Sequence, residues 1–190
     1  MILASHVIIS AYGFWLPNDP RGSWSDFVGA WELRRFGAAT KTEERRSLAR
    51  DKHDVVLRFI SKRALKHPFV KFNGLQARAI GRGFGNYVDK AGIEIWACSI
   101  LPEHVHLVIG RHRLDVEQIV NQLKGYATRQ LVAENLHPFP DHRGCWGRGL
   151  WKVFVDNPGH LQAAIKYVEK NPLKEGLRRQ SWGFVRPCAV

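Results

Sequence analysis

Two apolar, β-rich runs, Ile93 to Ile100 and His104 to Ile109, are separated by only a very short break at Pro102-Glu103. So short a connection leaves an antiparallel hairpin, with the second run lying beside the first. Side chains alternate across a strand, so Val105, Leu107 and Ile109 face the core. His104 and His106 then leave the strand together, about 7 Å apart at Cα, and two imidazoles can converge on one ion.

The rest of the chain supplies partners for this hairpin. His6 to Ala11 is β-branched and apolar, a first strand, and Tyr12 to Trp24 is an irregular loop dense in Gly, Pro, Asn and aromatics. Helices are expected near Thr42 to Arg50, Asp54 to Ala64 and Gln76 to Lys90, the last weakened by Gly81, Gly83 and Gly85. Asp115 caps a helix running to about Glu134, with Val116, Ile119, Val120, Leu123 and Ala127 as its buried stripe. Leu150 to Val155 is a further strand. Asn157-Pro158 then opens a helix that Asn171-Pro172 is expected to stop. The order strand, helix, strand, strand, helix, strand predicts an α/β (α+β) ferredoxin-like sandwich, an antiparallel sheet with helices on one face, plus additional helices. Its 190 residues, 45% of them hydrophobic, suit one domain over 1–190, with a charged insertion around 22–71.

Charge narrows the partners. Lys and Arg number 29 against 17 Asp and Glu, so 29 − 17 gives +12. That surplus favours a polyanion, through counterion release on a nucleic acid. No stretch approaches the roughly 18 apolar residues of a membrane span, and no membrane partner is expected. The N-terminus lacks the basic region and cleavage site of a signal peptide. Cys98, Cys145 and Cys188 are too few and scattered for a disulfide framework or a CxxC metal knot. A cytoplasmic, nucleoid-associated location is the simplest.

A catalytic metal site needs more than two histidines. The helix after Asp115 offers Tyr126 and Gln130, four residues apart and therefore about 40° apart around its axis. Two readings are open. Tyr126 is an edge-of-core aromatic and Gln130 a solvated residue, or both belong with the histidines.

The ordered set Leu101-Pro-Glu-His-Val-His-Leu-Val-Ile109, Leu123-Lys-Gly-Tyr-Ala-Thr-Arg129 and Ala164-Ile-Lys-Tyr-Val-Glu-Lys-Asn-Pro-Leu-Lys-Glu-Gly-Leu177 resembles the single-tyrosine HUH transposases of the insertion-sequence and REP-associated type. With the first strand and its Tyr12-Gly-Phe-Trp-Leu-Pro loop, the resemblance covers most of the chain. It implies that two histidines and a polar residue one turn beyond a tyrosine bind Mg²⁺ or Mn²⁺, and that the tyrosine is the nucleophile. Carried over, these are His104, His106, Gln130 and Tyr126. The expected activity is metal-dependent cleavage and rejoining of single-stranded or hairpin DNA through a 5′-phosphotyrosine. A non-catalytic or domesticated nucleic-acid-binding protein and a small replication initiator or relaxase are the alternatives. The resemblance leaves open whether the site is shared across a homodimer.

DNA contacts are expected from Lys124 and Arg129 beside the tyrosine, from Trp15 and Arg21 in the aromatic loop, and from the basic helices carrying Lys62, Arg63, Arg78 and Arg82. Trp15, Trp24, Trp146 and Trp151 are either stacking platforms for unpaired bases or core. Glu103 either orients His104 or is simply solvated, and His112 is a loop histidine.

Overall fold

The computed structural model describes residues 1–44, 48 and 51–188. Nine elements follow one another: β1 (Ala4–Ser10), a 3₁₀ turn (Trp31–Phe36), α1 (Val55–Arg63), α2 (Gly74–Ala91), β2 (Ile95–Ile100), β3 (His104–Gly110), α3 (Val116–Ala133), β4 (Trp151–Val155) and α4 (Pro158–Lys174). The sheet order is β2-β3-β1-β4, antiparallel at each pairing. This is the strand order of the expected ferredoxin-like sandwich. In the register, Ile8 lies opposite His106 and Ser10 opposite His104, so β1 is the floor next to the histidines.

Local chemistry sets the helix starts. The Asp54 carboxylate accepts from Leu57 N at 2.8 Å, and Asn73 and Gln76 cap each other reciprocally at the head of α2. On α3 the Gln118 side chain accepts from Asp115 N. Gly83 does not weaken α2 but allows it to pack. A Cβ there would lie 2.7 Å from Tyr126 O and 2.8 Å from Ala127 Cα, so α2 and α3 meet at backbone distance.

Both faces of the sheet carry a core, though β4 is only partly buried. Val7, Ile9, Val105, Leu107 and Ile109 pack with Ile80 and Phe84 of α2 and with Ile119, Val120, Leu123, Ala127 and Leu131 of α3. On the reverse face, Ala4, Trp96, Val108 and Val155 pack with Leu161, Ile165 and Val168 of α4. The expected extra helix α4 therefore covers the face opposite α2 and α3, lying across β2 and β3.

One expectation is revised. Pro172 does not stop α4, which runs to Lys174 with Pro172 inside it. The stop is Gly176 at φ +70°, with Gly176 N donating to Leu173 O and Leu177 N to Pro172 O. This extra turn carries Lys174 and Glu175 toward the histidines. The helix expected over 42–50 falls largely outside the described residues; within them, Thr42 N donates to Ser23 O. No helix among the described residues is long and apolar enough to cross a membrane.

Candidate active site

His104 and His106 share the α4 side of β3, as the alternation requires. Their ring centroids are 4.9 Å apart. A third imidazole joins them from β1: His6 Nε2 lies 3.3 Å from His106 Nδ1, and one of the two nitrogens carries the shared proton. Phe14 stacks on His104 at 4.7 Å. From α4, Tyr167 meets His106 edge-on at 5.6 Å and His6 at 5.7 Å. Lys174 Nζ sits 4.3 Å from the Tyr167 ring centroid, and Glu175 Oε1 is 3.8 Å from His104 Nε2.

Burial sets the charge state. Desolvation holds His6 and His104 down to about 4, below the ordinary 6.5, with Arg21 pushing His104 the same way. His106 lies well below 6.5, driven by burial and then by its neighbours His104, His6 and Lys174. All three are neutral near pH 7; His104 keeps a lone pair free to bind a cation or accept a proton, and His106 keeps one at Nε2 when its Nδ1 donates to His6. Three buried polar atoms here have no hydrogen-bond partner, His104 Nδ1, Asn171 Nδ2 and the Oγ of Ser99, which on β2 lies opposite His106. Asn171 lies four residues after Tyr167 and four before Glu175, so it shares the helix face on which both meet the histidines.

Tyr126 and Gln130 are not part of this cluster. Both sit on α3, and the sheet separates them from the histidines of the same chain. Tyr126 packs on Tyr87 of α2 at 5.1 Å, under the Arg129 guanidinium at 4.2 Å. Gln130 donates to Glu134 Oε1 and accepts from Asn86. The physical reason is strand parity. Val105 and Leu107 face α3, so their neighbours His104 and His106 face away from it. Tyr167 and Asn171 repeat the tyrosine-plus-four spacing of Tyr126 and Gln130, on the helix that does reach the histidines.

Comparison with known proteins shows the family. The family model described as "Transposase IS200 like" matches residues 51–171, well over half of the chain. The chain belongs to the IS200-like transposase family. Among solved structures, a REP-associated tyrosine transposase bound to a REP hairpin is similar at 15% identity and a TM-score of 0.49, over 96% of this chain and 74% of that one. A structure from Deinococcus radiodurans R1, described as a candidate transposase, is similar at 15% identity and a TM-score of 0.43, over 90% of this chain and 91% of that one. No curated protein matches.

Of the basic and aromatic residues expected to touch DNA, most hold the transposase together. Arg21 is buried in a bidentate pair with the fully buried Asp19 and lies over Trp15, 3.8 Å from its ring centroid. Trp15 in turn donates to Gly22 O. Lys62 is buried against Glu103 at 3.2 Å. Lys124 donates to Gly147 O and Gly149 O, tying the loop before β4 to α3, and burial lowers it to about 8. Arg129 lies on Tyr126. Arg82 pairs with Glu134. Arg63 and Arg78 are exposed, but Arg78 rides on α2, on the side of the sheet away from the histidines. Glu103 pairs with Lys62 instead of standing free, and His112 is a loop histidine 3.3 Å from Ala91 O.

Proposed function

We propose that this transposase cuts and rejoins single-stranded or hairpin-flanked DNA with Tyr167 as nucleophile, in place of Tyr126. The observation that carries the reading is the Tyr167 ring lodged against His106 and His6. Because these residues meet within one chain, no partner subunit is needed to complete the set.

The phenolic oxygen of Tyr167 attacks phosphorus, and the bond from phosphorus to the 3′ oxygen breaks. A 5′-phosphotyrosine forms while the leaving oxygen takes up a proton as a 3′-hydroxyl. The ester is exchanged and not hydrolysed, so a second 3′-hydroxyl can reverse the step and rejoin the strand. Lys174 places a positive charge beside the Tyr167 ring, and so beside the phosphate whose oxygens gain negative charge as the phenolic oxygen attacks. The +12 net charge attracts the strand.

The residues present fit a hard divalent cation, Mg²⁺ or Mn²⁺. His104 and His106 are neutral and share a face, His104 Nδ1 is unpartnered, and the buried Asn171 carries an amide on the same side. Among the described residues no group of three or more His, Cys, Asp or Glu is arranged to hold a metal. Asn171, on the helix face that meets the histidines, would supply a third ligand from this chain through its amide oxygen, with phosphate oxygens completing the shell. A bound cation polarises the phosphate and stabilises the departing oxygen. His6, bonded to His106 through ring nitrogens, fixes that imidazole's orientation and tautomer.

The test is direct. Full-length protein is incubated with end-labelled single-stranded hairpin DNA and Mn²⁺, then denatured. A covalent protein–DNA adduct is expected from wild type and from Tyr126→Phe, and none from Tyr167→Phe. Loss of the adduct in Tyr126→Phe with retention in Tyr167→Phe would overturn the assignment.

A further inference from the structure

A continuous run of aromatic rings leads outward from Tyr167, on the side away from the sheet region that α4 covers. Tyr167 meets His6 at 5.7 Å, His6 meets Trp151 of β4 at 5.4 Å, and Trp151 meets Trp24 at 6.0 Å, the last two contacts edge to face. α4 lies mainly across β2 and β3, so on this face the strip along β1 and β4 that carries His6, Ile8, Trp151 and Val153 is the less covered part. Ile8, Trp151 and Val153 are only partly buried. At the far end Trp24 leaves 47% of its surface to solvent.

The tryptophans divide by what their rings do. Trp15 and Trp146 are tied inward, donating indole N–H bonds to Gly22 O and Thr128 Oγ1. Trp24 meets Trp151 edge to face and is otherwise half exposed. A large apolar ring kept exposed suits a flat, apolar-faced ligand. Unpaired nucleobases have that shape and stack on aromatic side chains with little regard to sequence. The ring series that begins at Trp24 also ends at the residue proposed to attack the strand.

We infer that Trp24, backed by Trp151, is a stacking platform for an unpaired base a short distance along the strand from the bond that Tyr167 attacks. This rests on the proposed function for the identity of the ligand as single-stranded DNA, but not on the chemistry at Tyr167. A base seated on Trp24 would hold its strand along the ring series and fix which phosphate reaches the phenol. Duplex DNA, whose bases are already stacked, gains nothing from the platform.

The test uses binding, without cleavage. Fluorescence anisotropy of the full chain in EDTA is measured with an oligothymidylate of about a dozen nucleotides and with an abasic oligomer of the same length, which keeps the phosphates and lacks the bases. Wild type is expected to prefer the oligothymidylate by about tenfold or more, and Trp24→Leu to lose most of that preference while binding the abasic strand unchanged. Trp24→Leu retains apolar packing against Trp151, and Trp24→Phe, which keeps a ring face, is expected to restore the preference. Trp31, exposed at 77% and outside the ring series, supplies the control Trp31→Leu, expected to behave as wild type. Equal preference in wild type and Trp24→Leu, or no preference in wild type, overturns the inference. A missing adduct at Tyr167 would leave this measurement unaffected, so the two readings fail separately.

Discussion

Acid should unfold this protein through its buried imidazoles. His6 and His104 titrate at about 4 in the folded state against the ordinary 6.5. A group whose folded value is depressed leaves the unfolded chain holding more protons in the interval, so stability falls as pH drops from about 6.5 toward 4. For one such histidine the loss between about pH 7 and pH 5 is about 2 kcal/mol. Two give about 4 kcal/mol, against a typical total stability of about 5–15 kcal/mol. His106 is depressed as well and adds to this loss. Glu175 works in the opposite direction, because burial and Glu103 raise it. The carboxylates paired on the surface, Glu117, Glu134 and Asp141, are lowered by Lys152, Arg82 and Arg143 and titrate below this window. The assay is urea unfolding followed by tryptophan fluorescence across the same pH range, for wild type and for the double variant His6→Gln, His104→Gln. The double variant should lose about 4 kcal/mol less than wild type over the interval. If both lose the same amount, these imidazoles are not buried neutral in the native state, and the electrostatic account of the site is wrong.

Three further substitutions test the packing. Gly83→Ala brings a methyl within 2.8 Å of the α3 backbone and should destabilise by about 1–3 kcal/mol, seen as a lower urea midpoint. Gly85→Ala on the same helix meets only Phe184 at 3.6 Å and should instead stabilise by up to about 1 kcal/mol, from helix propensity alone; equal signs for the two would refute the close approach of α2 to α3. Asp19→Ala leaves Arg21 buried without its carboxylate, with Arg58 3.5 Å from the same group, and should cost about 3–5 kcal/mol in chemical unfolding.

Periodicity and capping carried most of the fold into the sequence. The hairpin and the caps at Asp115 and Asn157 are local signals that the tertiary structure reinforces, and the strand order follows from the sequence of elements. The end of α4 was less legible because Pro172 is a strong local stop signal, whereas the actual stop, Gly176, gains its effect from two backbone bonds to the last turn. The roles of Arg21, Lys62 and Lys124 were hidden for a different reason. A basic residue in sequence carries no mark of whether a buried carboxylate or a pair of carbonyls awaits it.

The choice of tyrosine is the instructive case, because the sequence contained the means to make it. Tyr126-to-Gln130 and Tyr167-to-Asn171 have the same spacing, and helix geometry alone cannot rank them. Strand parity can. Once Val105, Leu107 and Ile109 are taken as core-facing, the helix whose apolar stripe fills that core lies on their side of the sheet. The stripe Val116, Ile119, Val120, Leu123 and Ala127 packs there, beside Ile80, Phe84 and Val88 of α2. Any side chain of α3 is then separated from His104 and His106 by the thickness of the sheet, about 10 Å to the packed layer on either side. Only a helix on the reverse face can bring a phenol to the histidines of its own chain, and α4 is that helix. Tyr126 is left with a packing role beside Gly83, so Tyr126→Phe should leave DNA cleavage intact, and a cleavage defect there with normal folding would refute the parity argument.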